Sequence, residues 1–279
     1  MTTTATTIGA DRAVGPVDTR TGAAFAPAAL AVTARTLRKF VRTPNLIILG
    51  TIQSATFLLL FRYVFGGAIS IAGLPYVNFL VPGFITTGVL FLGMGAAIGM
   101  AEDIAAGFFD RLRSLPIPPS SVVCGRAFAD TTMIAWGTAV STAIGFAVGF
   151  RVETGVAAAL AAFACCVLFG FAFLWLFMTM GLTAGSPQAA QGMTMIVFPL
   201  AFVSSAYVPV RTMPGWLQAF AAHQPLTYMV DTVRILTLGH PAAVVVGHSL
   251  AYELTGSLLW CAALVAAFAP TAVARFKRG

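Results

Sequence analysis

Two pairs of opposite charge stand at helical spacing in an otherwise greasy chain. Arg126 and Asp130 are four residues apart, and Asp231 and Arg234 are three apart, so each pair shares a helix face and can neutralise itself. Glu253 and His248 lie in the outer half of the last expected span, and Arg62, near the outer end of the first, is a candidate partner for Glu253. An ionisable side chain in lipid costs about 2.5–3.5 kcal/mol on insertion scales, so each such residue is a candidate for function as well as for packing. The other known chemistries lack their residues. A phosphate-cradling G-x-x-x-x-G-K-[ST] loop needs a lysine, and Lys39 and Lys277 both lack the preceding glycines. H-E-x-x-H and G-x-S-x-G are missing too. Cys124, Cys165, Cys166 and Cys261 have no metal-ligand or redox spacing and read as small packing residues. No resident cofactor and no metal site are expected on this chain.

The elements that must hold these residues are membrane helices. Charged residues make up 9% of the 279 and hydrophobic ones 58%, with a mean hydropathy of +0.90. A soluble domain carries roughly a quarter charged residues. Lipid leaves the backbone no external partners, so the long apolar runs must be helices or a closed barrel. Nothing alternates as barrel strands do. The reading is an all-α integral membrane protein of six spans, at about 45–65, 77–100, 122–150, 156–184, 191–210 and 243–270.

Residues 28–42, AALAVTARTLRKFVR, read as an amphipathic interface helix, with Leu30, Leu37 and Val41 on one face and Arg35, Arg38, Lys39 and Arg42 on the other. Twelve arginines and lysines fall on the segments assigned inside, against four outside (Arg62, Arg151, Arg211 and Arg234), which orients both termini to the cytoplasm. The net charge of +7 therefore reads as topology, and nucleic acid is not an expected partner. The domain reading is a disordered cytoplasmic tail over 1–24, the interface helix over 25–43, the six-span domain over 44–275 and a cytoplasmic tail over 276–279.

Two interruptions carry information. EDIAAGFFDRLRSLPIPPS, residues 102–120, places five charges within twelve residues and follows them with Pro116, Pro118 and Pro119. Ile104, Phe108, Leu112 and Leu115 form a helical stripe. Glu102 and Asp103 sit where a helix begins and Arg111 and Arg113 where it ends, as the dipole favours. The prolines forbid continuation, and Ser120 or Ser121 can cap the next helix. The stripe suits either the lipid interface or a groove on a soluble partner. The second interruption, residues 211–241, holds two amphipathic pieces, Trp216–Phe220 and Leu226–Leu238, split by Pro225 and closed by Gly239 and Pro241. Each is too short to span, so the expectation is a re-entrant helical hairpin in the outer leaflet between spans five and six.

Both stretches carry a resemblance. EDIAAGFFDRLRSLPIPPSSVVCGR resembles the cytoplasmic segment of ABC type-2 exporter permeases, and PLAFVSSAYVPVRTMPGWLQAFAAHQPLTYMVDTVRILTLG resembles the outer hairpin of that family. The likeness is nearest to its daunorubicin-resistance type of drug-export permease and covers about residues 28–275. It implies that residues 101–116 form a coupling helix docked on a separate ATPase subunit. Glu102, Gly107, Phe108, Asp110, Arg111, Leu112, Arg113 and Pro116 would make the dock. Arg111 and Arg113 would meet carboxylates there, and Phe108 or Leu112 would fill an apolar cleft. It implies an outer gate built from Pro209, Pro214, Trp216, Pro225, Asp231 and Arg234. The implied partners are two copies of an ABC ATPase that binds ATP and Mg, a second permease chain, membrane lipid and a hydrophobic small-molecule substrate. A substrate path along the second and fifth spans would use Phe84, Phe91, Met94, Met195, Phe198 and Phe202. The implied location is a bacterial cytoplasmic membrane. A proton-coupled secondary transporter is the competing expectation, with Glu253 as its relay.

Overall fold

Residues 24–42, 44–66 and 74–278 are described by a computed structural model. The expected tail 1–24 except Ala24, the glycine-rich turn 67–73, the last residue and the side chain of Arg113 lie outside the described residues. The described residues form helices and connecting turns. The helices are α1 (Phe25–Val41), α2 (Pro44–Leu60), α3 (Tyr76–Ala105), α4 (Phe108–Arg113), α5 (Pro119–Ala147), α6 (Val156–Thr183), α7 (Pro187–Thr194), α8 (Val197–Phe202), α9 (Gly215–His223), α10 (Pro225–Leu238), α11 (His240–Val246) and α12 (Leu250–Arg278). Three of them, α3, α6 and the Leu250–Lys277 stretch of α12, are long and apolar enough to cross a membrane.

α2 runs on through a π-turn at Phe61–Phe65. Together they make a rod of roughly 33 Å at 1.5 Å per residue, matching the expected first span. The expected fifth span, 191–210, is instead two short helices, α7 and α8, followed by a turn region. Pro199 supplies the cause: its ring clashes with the carbonyl four residues back, at Met195, where the helix gives way. The expected sixth span, 243–270, divides as well. Gly247, at φ +86°, closes α11 and gives its N–H to the Ala243 carbonyl. Ser249 Oγ then accepts the Tyr252 N–H at the start of α12, 3.3 Å away.

α3 is the axis of the fold. Most of its apolar residues are buried, with Phe79, Leu80, Val81, Leu90, Ala97 and Met100 each 1% exposed or less, as a helix largely surrounded by others must be. Close approach comes from glycine. A Cβ on Gly83 would sit 2.0 Å from the Ala206 carbonyl oxygen, and one on Gly181 of α6 would sit 2.4 Å from that of Ala97. Without hydrophobic drive between helices in lipid, such small-residue contacts carry the association.

α1 also packs through small residues. Ala28, Ala29, Val32 and Thr36 are its buried face, and Ala29 lies so close to Gly125 of α5 that a side chain there would meet its backbone at 2.4 Å. Thr33 Oγ1 donates to the Gly125 carbonyl at 2.8 Å. Leu30 and Val41 of the expected apolar face point outward instead, which is where an interface helix meets lipid.

Candidate functional site

The charged stretch that α3 delivers beyond its last apolar turn is not one helix. α3 runs to Ala105, Gly107 turns at φ +64°, and α4 restarts at Phe108. Glu102 and Asp103 therefore sit at a helix C-terminus, where the dipole opposes carboxylates. Cations from two other helices compensate. Arg126 of α5 donates through Nη1 to Asp103 at 2.6 Å and through Nε to Asp130 at 2.8 Å, the second being the expected pair. Lys39 of α1 meets Glu102 at 3.3 Å, and Arg35 lies 3.6 Å from Asp103. Asp103, Arg126 and Asp130 are all nearly excluded from solvent. A Cβ on Gly99 would strike Arg126 Nη2 at 2.3 Å, so only glycine lets the guanidinium lie flat against α3.

The stripe residues also separate. Phe109, outside the expected stripe, is the buried aromatic of α4, in edge contact with Phe276 of α12. Phe108 is half-buried beneath the Arg35 guanidinium, 3.5 Å from its ring centroid, and Leu112 is half-buried. Asp110, Arg111, Leu115 and Pro116 face outward. The cap of α5 is Pro118 with Pro119 in the first turn. Ser121 instead donates its hydroxyl back to the Pro118 carbonyl.

A second charged site closes the opposite end of α3. Arg234 of α10 is 1% exposed and bridges three segments. It donates to Asp231 at 2.5 Å, to the Phe79 carbonyl of α3 at 3.1 and 3.3 Å, and to the Ser205 carbonyl at 2.8 Å. Its guanidinium also lies 3.7 Å above the Phe79 ring. Ser205 Oγ completes the set on Asp231 at 2.9 Å. A buried ion pair holds only when its remaining protons and lone pairs find partners, and here the loop after α8 supplies them.

α10 is preceded by a proline break: Gln224 is extended, Pro225 is the first helical residue and is buried, and the Gln224 amide donates to the Val203 carbonyl. The C-terminal carbonyls of α10 are met by the turn between α5 and α6. The Glu153 N–H donates to Thr237 at 2.9 Å and the Thr154 hydroxyl to Leu236 at 2.5 Å. Pro209 is buried, while Pro214 and Trp216 are exposed at the surface of α9. Glu253 is 2% exposed and shares a 2.8 Å hydrogen bond with His248. Arg62 instead lies beside Gly149 and the Tyr63 ring.

The residues expected along a substrate path divide in the same way. Phe91 of α3 and Phe198 of α8 meet with ring centroids 5.0 Å apart, and Phe84 is buried. Met94 is half-buried, while Met195, Phe198 and Phe202 are exposed on one side of the molecule. A cavity of about 510 Å³ opens between α1, α2, α3 and α5. Three members of these sites carried no local signal: Asp103 as a buried partner, Ser205, and the Phe79 carbonyl. Asp103 is 23 residues from Arg126 and Ser205 is 26 from Asp231, distances no helical spacing links.

The sequence is similar to permeases that confer drug resistance. Over 244 residues it is 31% identical to the daunorubicin resistance ABC transporter permease protein of Streptomyces coeruleorubidus, covering 87% of this chain and 83% of that one. It is 24% identical to a probable doxorubicin resistance ABC transporter permease protein of Mycobacterium tuberculosis, over 67% of this chain and 64% of the relative. A shorter likeness, 36% over 55 residues, reaches nodulation protein J of Rhizobium leguminosarum bv. trifolii, over 20% of this chain and 21% of that one. Residues 27–238 match the ABC-2 type transporter family from the buried face of α1 to the last turn of α10. They take in both charged sites, and the chain belongs to that family of membrane permeases.

Proposed function

We propose that the chain is the membrane-spanning permease subunit of an ATP-driven exporter in a bacterial cytoplasmic membrane, crossing it six times with both termini inside. A second permease chain, identical or related, completes the path. Two copies of a separate ATPase subunit bind ATP and Mg, and the cargo is a hydrophobic or amphiphilic molecule such as a drug or a lipid.

The observation that carries this reading is the construction of residues 102–116. Gly107 sets α4 at the end of α3, Phe109 anchors it on Phe276, and Arg126 ties Asp103 to α5. Arg111, Leu115 and Pro116 are left on the outside. A short helix held rigidly, with its charged face outward, suits a dock that must receive force and pass it inward. Support for the cargo class comes from the relatives named for daunorubicin and doxorubicin resistance.

The test is purification of the tagged chain in mild detergent, with mass spectrometry of what accompanies it, followed by export from vesicles. A stoichiometric P-loop protein cross-linked to residues 102–116, with export that requires ATP, is the expected result. Buried Glu253, hydrogen-bonded to exposed His248, is what a proton-driven mechanism would use. Export that survives ATP depletion and stops with a protonophore would overturn the proposal in its favour.

A further inference from the structure

The cavity between α1, α2, α3 and α5 has a built polar end and a greasy body. Its volume, about 510 Å³, lies within the range of small-molecule sites, roughly 300–1,000 Å³. Leu92, Ile98, Met133, Ile134, Trp136 and Val140 wall it. It follows α3 from Gly88 to Glu102, about 21 Å of helix. Gly88 and Gly95 leave that wall open, for a Cβ at either would meet no atom within 4 Å.

Two polar groups on its lining are unanswered. Thr36 is 2% exposed, and its Oγ1 has no hydrogen-bond partner among the described residues. A buried hydroxyl without a partner is costly, so its place on a cavity wall points to something that enters. Asp130 is 5% exposed and gives one oxygen to Arg126, while the other meets no donor among the described residues. The cations on the wall, by contrast, are matched: Arg126 by Asp103 and Asp130, Lys39 by Glu102, and Arg35 by Asp103 and the Phe108 ring. Glu102, Asp103 and Asp130 are thus equalled in number by Arg35, Lys39 and Arg126, and of the two buried carboxylates Asp130 is the one paired with a single cation.

We propose that this cavity binds a small cationic amphiphile, its apolar body between α3 and α5 and its positive, proton-donating head answered by Asp130 and Thr36. Neither Phe91 nor Phe198 is on its lining, and the site deepens the export reading by naming a place where one protomer holds cargo from its inner side.

The experiment uses the full chain in lipid nanodiscs, without ATPase or ATP, so that it stands or falls apart from the export reading. Binding of rhodamine 6G, an aromatic cation, is followed by fluorescence anisotropy against protein-free discs, with 8-anilinonaphthalene-1-sulfonate as the anionic counterpart. Gly95→Leu and Gly88→Leu, which fill the cavity from the open wall, are expected to weaken rhodamine 6G at least tenfold. Asp130→Asn should weaken it about tenfold and Thr36→Val about threefold. Gly192→Leu on α7, where a Cβ also meets nothing within 4 Å, should leave binding unchanged. Parental affinity in monodisperse Gly95→Leu or Gly88→Leu, together with Asp130→Asn, would overturn the site. Preference for the anionic dye would overturn the charge assignment. Loss of rhodamine 6G in Phe198→Ala with parental binding in Gly95→Leu would move the site to the Phe91–Phe198 contact.

Discussion

Arg234 is the largest of the fully buried side chains among the described residues, and its planar array of donors explains why no smaller cation would serve. Two go to one carbonyl of α3, one to a carbonyl of the loop after α8 and one to Asp231. Lysine offers a point charge and three donors without the planar fork. Arg234→Ala strands Asp231 and two carbonyls, and breaking a buried pair costs about 3–5 kcal/mol. The expected outcome is loss of the monodisperse peak after solubilisation and brief heating, with Arg234→Lys falling between the two. If Arg234→Ala keeps the parent's thermal midpoint, the bridge contributes nothing to the fold. Within-helix pairing was legible in the sequence for Arg126–Asp130 and for Asp231–Arg234, because spacing of three or four residues is a geometric fact about helices. Asp103 was not. Its partner lies on another helix, and only the packing of α3 on α5 brings the two together.

At the scale of elements, Gly107 decides how α3 meets α4. Its φ of +64° is costly for any other residue, and a Cβ there would meet nothing. The penalty of Gly107→Ala is therefore conformational, about 1–2 kcal/mol. We expect that substitution to straighten the junction into one helix and to lower export at least fivefold while ATP hydrolysis by the associated complex persists. The measurement is transport per ATP hydrolysed in reconstituted vesicles, and an unchanged ratio would remove Gly107 from the coupling path. The helix reading of the sequence succeeded where one period ran uninterrupted, as in α3 and α6. It failed where a backbone signal competes with hydropathy. Met195 and Ile196 look as apolar as any span, but Pro199 unseats the turn below it. Gly247 likewise cuts the expected last span, and His248 and Ser249 directly after it mark the break that the surrounding apolar residues hid. Apolar content reports burial in lipid, and continuity of a helix is a separate property.

For the whole molecule, the outer and inner assignments rest on charge, and labelling can read them directly. With the four native cysteines replaced, Ser114→Cys is expected to react with a membrane-impermeant maleimide only in inverted vesicles. Thr212→Cys should react only from outside intact cells. Labelling of both from the same side would exclude the six-span arrangement. The charged ends also frame the part of α3 between them. Phe79 is held by Arg234 and Asp103 by Arg126, and 24 residues separate them, about 36 Å of helix. A bar clamped near both ends has little slack, so under the coupling proposed above a push at α4 would reach the far clamp. Pro82 lies three residues short of that clamp and deprives the helix of one hydrogen bond there. A joint thus stands just before the far clamp, and an axial thrust from below would emerge above as a tilt.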